Sequence, residues 1–482
     1  MGTRIRRKPL AVTRAGFEVN GMVLFRMVDE LLSELRPVFR RETCFSWFVI
    51  VAWGFILRFD AEGASSVIRC LGLAASEYFN LLHFFHSSAF SAQTLCQRWV
   101  QVAFRYAPLH KLDHRPVYLA DAIIADKTGK KMPGVKKLRQ EPGDNRPEFL
   151  LGHFWGAVTV LLHAGSHYFA LPLRFELQDG LKRSPSEKAT TISRMASLIT
   201  ETVHTAGTVV ADSYYACKSI LQHLRAHDFH FIGRMRLTTV AYEPAPQPAR
   251  RGRGRPAKKG VKVTLRTLFD TPKQFIPTTV ELYGKVQTAR LCERVLYWQG
   301  MLLKFVLSID KQGHRAIFVS THLELSAAEI VNTYSLRFKI EAGFKSFVQV
   351  LWGFGYRFWM KAMPSRKRTA NSQYLHRATE SYRQSIRRKV EAYDRFVNIA
   401  AMTLGILQLV SLRYAQAIHA RMPLWFRTVR STTAPSENLV KVALQAEVPS
   451  IFASSDHPSL LAKILATRAK ADLPQYPFSM AA

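Results

Sequence analysis

Val117-Tyr118-Leu119-Ala120-Asp121 and Thr208-Val209-Val210-Ala211-Asp212 are two short apolar runs of the same design, each closing on an aspartate. A short apolar run bounded by polar segments reads as a buried strand. Working outward, longer strand-like runs lie at about 153–163 and 167–177, and helical spacing follows from about Ser186 to His204. Beyond Asp212 come a helix over 214–227 and a strand from about Phe229 to Met235. Three strands, helix, strand, helix, strand is the order of a mixed α/β sheet with crossover connections. Strand ends in such a sheet converge on a crevice. Two Asp there could bind hard divalent cations, which prefer oxygen. Taken singly, each Asp also has the plainer role of opening a turn or capping the next helix.

The flanks have a different texture. Val23, Met27, Leu31 and Leu35 recur at helical spacing ahead of an aromatic run around Trp47 and Trp53, so residues 1–110 read as a helical domain. The first part of the α/β core takes 111–235. Residues 236–325 open with a Pro/Arg/Gly segment and resume as strand-like runs near 279–283, 294–298, 301–309 and 315–320, a β-rich insertion with a basic loop. Helical spacing from Ala327 to about Leu351 returns to the core over 326–360. Residues 361–482 read as a helical C-terminal region, with a long helix over about 376–420 and weak periodicity after Pro435.

Charge narrows the partner. Lys and Arg number 68 against 35 Asp and Glu, a net +33. A surplus that large repels itself on compaction and calls for a polyanion. Nucleic acid, a membrane surface or an acidic protein each satisfy it. The five cysteines form no CxxC pair, which fits a reducing compartment and excludes a disulfide framework. The N-terminus, MGTRIRRKPLAVTRAG, lacks the apolar stretch of a signal peptide. The apolar run Thr43–Leu57 stops at Arg58, short of the roughly 20 residues that span a bilayer. It is therefore read as a buried element, with no membrane partner.

A third acid completes the set. In Tyr334-Ser-Leu-Arg337-Phe-Lys-Ile-Glu341-Ala-Gly-Phe-Lys345, the residues Leu336, Ile340, Phe344 and Phe347 form one apolar stripe, while Tyr334, Arg337, Glu341 and Lys345 share the adjoining one. A solvated face with charged pairs at i,i+4 has the same pattern. Beside a core, these four can also bind phosphates and complete a metal site.

YLAD121, VVAD212SYYA and Y334-x2-R337-x3-E341 together resemble the signature blocks of DDE transposases from bacterial insertion sequences, over roughly residues 115–360. The group resembled has an RNase H-like core, a β insertion before the catalytic Glu, and a YREK-type signature. The resemblance implies that Asp121, Asp212 and Glu341 bind two Mg2+ (or Mn2+) ions, with Tyr334 and Arg337 on phosphates near the element's end. It further implies end cleavage and strand transfer on double-stranded DNA, both transposon ends and target, by a homodimer on paired ends, with the C-terminal helices a candidate interface. The expected place is the bacterial cytoplasm, associated with the nucleoid when bound to DNA. One departure stands out: the signature's lysine falls at position 348, where this chain has Val348. Lys345, one turn after Glu341, is the substitute we consider.

Other basic groups join the DNA set. Lys127, Lys130 and Lys131, with Lys136 and Lys137, follow Asp121 closely and are expected to track phosphates. Arg253 and Arg255 lie in Arg253-Gly254-Arg255-Pro256, the core of an AT-hook, which enters a narrow A·T minor groove; a plain basic loop is the competing reading. Asp126 competes with Asp121, though its place beyond the strand and beside Lys127 suits a loop. Two other functions remain open on the residues alone: an RNase H-fold nuclease or resolvase without strand transfer, and a non-catalytic basic DNA-binding protein. Reversing Lys345→Glu is expected to weaken both end binding and cleavage in mobility-shift and nicking assays; unchanged behaviour removes Lys345 from the site.

Overall fold

The computed structural model describes residues 23–60, 63–140, 147–245, 259–367, 369–421, 433–453 and 459–468. The AT-hook-like residues Arg253 and Arg255 lie outside them, as does the basic N-terminus. Among the described residues five α-helices come first: α1 (Val23–Ser33), α2 (Glu42–Leu57), α3 (Ser65–Cys70), α4 (Glu77–His86) and α5 (Ala92–Tyr106). Helix α2 is apolar on every side and is accordingly buried on every side.

The sheet is built from β1 (Arg115–Asp126), β2 (Phe149–Ala164), β3 (His167–Leu177), α6 (Thr191–Thr202), β4 (Thr208–Ala211), α7 (Lys218–Ala226) and β5 (His230–Met235). Strand β4 lies parallel between β1 and β5, while β2 and β3 continue antiparallel beyond β1. The spatial order is thus β3-β2-β1-β4-β5, an RNase H-like mixed sheet. All four residues of β4 are buried, as its unbroken apolar run requires at the centre of a sheet covered on both faces.

The insertion supplies β6 (Val240–Tyr242), β7 (Lys262–Thr264), β8 (Ile276–Leu282), β9 (Lys285–Trp298), β10 (Met301–Ile309) and β11 (Arg315–Ser320). It does more than decorate the core. Strand β11 pairs antiparallel with β5, so the insertion extends the same sheet.

Two expectations change here. The helical stretch 327–351 is two helices, α8 (Ala327–Ser335) and α9 (Phe338–Gln349), joined by a tight turn in which each amide reaches back only three residues. The stretch after 376 is α10 (Glu380–Arg413) followed by α11 (Ala415–Arg421), and the weakly periodic tail forms α12 (Glu437–Ala453) and α13 (Leu460–Arg468). Helix α10 is long and apolar enough to cross a membrane, yet 94% of its apolar window is buried within the protein. It packs on α2, α4, α5 and β3. That burial removes its apolar half as an interface between copies, because the surface is already spent inside one chain. The hydrophobic core runs continuously from Leu24 through the sheet to Ile464, so the flanking helices share one interior with the sheet.

Strand β3 is an edge, and unpaired edge groups need partners. Pro172 within it has no amide to satisfy, and its carbonyl accepts from the Trp99 indole at 2.7 Å. Asn398 of α10 then takes the place of a neighbouring strand: it accepts from the Phe175 amide at 2.9 Å and donates to the Phe175 carbonyl at 3.0 Å. Asn398→Ala strands both buried groups and is expected to cost about 2–4 kcal/mol in a denaturant titration. A loss below about 1 kcal/mol would mean that the edge is not held this way.

Candidate active site

Register fixes where the two aspartates meet. Ala120 of β1 pairs with Ala211 of β4, so the next residues, Asp121 and Asp212, emerge side by side. The strands end differently, however. Asp121 was expected at a strand terminus, but β1 continues to Asp126, with Asp121 opposite Ala157 of β2. Only β4 ends there, and the crevice opens where it stops. Asp212 turns the chain, its Oδ1 accepting from the Tyr214 amide at 3.0 Å.

Helix α9 brings Glu341. Its buried face, Ile340, Phe344 and Phe347, packs on the sheet, with the Phe347 ring stacked on Phe175 at 4.8 Å between centroids. Glu341 stands in its first turn, exposed, and Arg337 immediately precedes the helix. The Arg337 guanidinium forks: Nη1 donates to Asp121 Oδ2 at 2.7 Å, and Nη2 donates to Glu341 Oε1. One side chain therefore ties the sheet's first carboxylate to the helix's.

The electrostatics are those of crowded acids. Burial pushes the Asp121 carboxyl up to about 6, and the nearby Asp212 and Glu341 add to this, against the Ala122 amide and Arg337. Burial raises Asp212 too, with Glu341 acting in the same direction. Burial likewise raises the Tyr215 hydroxyl, helped by both aspartates. Three carboxylates offset by one guanidinium leave excess negative charge. Their hard oxygens and unmet charge suit a divalent cation. Among the described residues no group of three His, Cys, Asp or Glu side chains is gathered closely enough to hold an ion; Arg337 lies between Asp121 and Glu341 instead.

The remaining expected residues divide. Tyr334 ends α8 against the Phe318 ring, within electrostatic reach of Arg337 and Arg234. Lys345 is exposed one turn beyond Glu341, and Val348 is exposed two turns beyond. The lysine cluster does not act as a unit. Lys127 turns inward, donating to the Phe354 carbonyl at 2.5 Å over the Tyr393 ring, and burial lowers its pKa to about 8. Lys136 pairs with Asp179 at 2.7 Å, and Lys137 covers the Phe149 ring. Lys131 donates to the Lys361 carbonyl at 3.3 Å and Lys130 stays exposed. Asp126 ends β1 as an exposed residue, an odd number of residues from Asp121 and so on the other face of the strand.

Sequence reading missed Arg58 and Lys441. Arg58, following α2, donates to the Leu351 and Trp352 carbonyls just past α9, and Lys441 of α12 donates to the Val350 carbonyl at 2.9 Å. No local pattern marks either residue, since the contacts join segments far apart in sequence.

An acid whose folded-state pKa lies above its unfolded value is held more firmly in the neutral form by the fold. The resulting stabilisation is complete below pH about 4 and is lost as pH rises through about 6. In chelator, the wild type should therefore lose thermal stability between these values, and Asp121→Asn should flatten the decline. Parallel Tm–pH curves for the two proteins would contradict this.

Residues 159–382 match the family model of the transposase DDE domain. That span includes Asp212 and Glu341 and begins after Asp121. A comparison with curated proteins finds no match. Among solved structures, the chain is similar to the piggyBac transposase in a cryo-EM synaptic complex with hairpin DNA, at 10% identity over 95% of this chain and 86% of that one, with a TM-score of 0.37.

Proposed function

For a chain whose residues 159–382 match the family model of the transposase DDE domain, we propose that it is a transposase and that Asp121, Asp212 and Glu341 are its catalytic carboxylates. The observation that carries this reading is the Arg337 fork, which joins Asp121 to Glu341 beside the place where β4 delivers Asp212. The three carboxylates would hold Mg2+ or Mn2+. Such ions supply activation of the attacking hydroxyl and charge stabilisation at the leaving oxygen.

The chain's own groups supply the rest. Arg337 keeps Asp121 and Glu341 from repelling each other apart, and its guanidinium is suited to a phosphate oxygen once DNA arrives. Tyr334, within electrostatic reach of Arg337 and Asp212, and Lys345, one turn beyond Glu341, would meet the DNA backbone near the cleaved bond. In hydrolysis, water oxygen bonds to phosphorus as the P–O3′ bond breaks, leaving a 3′-hydroxyl and a 5′-phosphate. In strand transfer that 3′-oxygen bonds to a target phosphorus, its proton passes to solvent, and the target's own 3′-oxygen leaves. Double-stranded DNA, both element ends and target, is the substrate, and a homodimer would hold two ends for joint insertion. The reaction belongs where DNA is accessible, the bacterial cytoplasm.

Asp212→Asn keeps the shape and removes the charge. It is expected to lower nicking of end-bearing DNA by roughly a hundredfold or more, the scale of a lost electrostatic stabiliser, while DNA binding persists. Unchanged cleavage would refute the metal-site assignment. Cleavage by the wild type with no joining to a target plasmid would identify a nuclease.

A further inference from the structure

The helix that carries Glu341 is entered through a weak joint. Between α8 and α9 the amides of Leu336, Arg337, Lys339 and Ile340 reach back only three residues. The α-helical ladder is thus broken just where Arg337 leaves the chain, and such a break within a helical stretch is a place that bends. The direction in which α9 departs has to be set from outside, and the β8–β9 hairpin lies against the joint.

The hairpin holds it at three points. The Glu281 amide donates to Asn332 Oδ1 at 2.8 Å. The Ser335 hydroxyl, shared with the Asn332 carbonyl at 2.7 Å, donates to the Glu281 carbonyl at 3.0 Å. Both backbone groups of this edge residue are therefore met by α8. The third point is the hairpin tip, where Tyr283 and Gly284 turn the chain between the paired Leu282 and Lys285. Their φ values are 54° and 75°. Positive φ at both central residues suits Asn-Gly, and a bulky aromatic at the first of them is strained. Burial does not account for the strain, because Tyr283 is 68% exposed. Its ring instead meets Phe338, the first residue of α9 and the neighbour of Arg337, with 5.4 Å between centroids. Strained backbone is characteristic of places where function requires it. The base of the hairpin is firm: β9 pairs with β10, β10 with β11, and β11 with β5, the strand beside β4.

We propose that the β8–β9 hairpin braces the α8–α9 joint, and that Tyr283, Asn332 and Ser335 are positioning residues for the reaction. They act through Arg337, which projects from the braced joint and sets Glu341 against Asp121. The insertion thereby ties the catalytic helix to the sheet that delivers Asp212. This rests on the reading of the three acids as the catalytic carboxylates, and deepens it.

Positioning is separable from stability at the strained turn. Tyr283→Asn relieves the turn and removes the ring, so Tm is expected to hold or rise while kcat for nicking falls by about tenfold to a hundredfold, the scale of a misplaced group. KM for end-bearing DNA should stay as in the wild type. Tyr283→Phe keeps the ring and should keep kcat. Asn332→Ala should lower kcat likewise, and Asn332→Asp, which still accepts from the Glu281 amide, should restore it. Hydrogen exchange in the metal-free protein reads the joint without any cleavage. Exchange of amides 335–341 is expected to quicken in Tyr283→Asn and Asn332→Ala, with β4 unchanged. Unchanged exchange would overturn the brace. Faster exchange with wild-type kcat would overturn its role in positioning, as would a kcat that falls only in step with Tm. Wild-type nicking by Asp212→Asn or Glu341→Gln would instead remove the carboxylate reading, with the exchange data still reporting the brace.

Discussion

Arg58 crosses from the end of α2 to the carbonyls just past α9, and there Lys441 of α12 meets the carbonyl before them. A helix C-terminus carries unsatisfied carbonyls and partial negative charge, so two cations are well matched to it. Both are buried: their pKa values are depressed by burial, Arg58 to about 10 and Lys441 to about 8. Burying charge is costly unless it is paired and hydrogen-bonded, and these carbonyls are the partners that make it tolerable. The helix bearing Glu341 is therefore held at one end by segments from both flanks of the chain. At its other end Arg337 holds it to β1. The position of Glu341 relative to the sheet depends on these two attachments.

That constraint gives the flanking helices a role in the site. Helix α10 seals the edge of β3 through Asn398, while α2 and α12 anchor the end of α9. The Phe175 ring stacks on Phe347 while the Phe175 backbone pairs with Asn398, so one residue of β3 touches both devices. A disturbance in the flanking helices has a short physical path to the carboxylates.

Charge is partitioned sharply. The chain is strongly basic, yet Arg337 holds two acids, Asp121 and Glu341, and the register sets Asp212 beside the first of them. Under the proposed reading, an acidic site in a basic chain would draw DNA by its phosphates and keep at the centre the hard oxygens that metal chemistry needs. The basic residues are not interchangeable, however. Lys127 is consumed by a carbonyl and a ring, and Lys136 by Asp179, whereas Lys130 and Lys345 stand exposed.

By itself the sequence determined the strand that ends just before Asp212, the presence of a strand at Asp121, the mixed α/β order, and the helical phase relating Arg337 to Glu341. Each is a local pattern, set by the two-residue period of strands or the 3.6-residue period of helices. The Arg337–Glu341 pair escapes the break between α8 and α9 because Arg337 caps the second helix and bonds Glu341 one turn on. Tertiary structure alone decided that β1 runs on past Asp121, that the insertion continues the sheet, and that Lys127 faces inward. It also decided that Arg58 and Lys441 reach α9. The reason is the same in each case: these facts depend on which surfaces meet across long stretches of chain, and local periodicity carries no information about a partner hundreds of residues away.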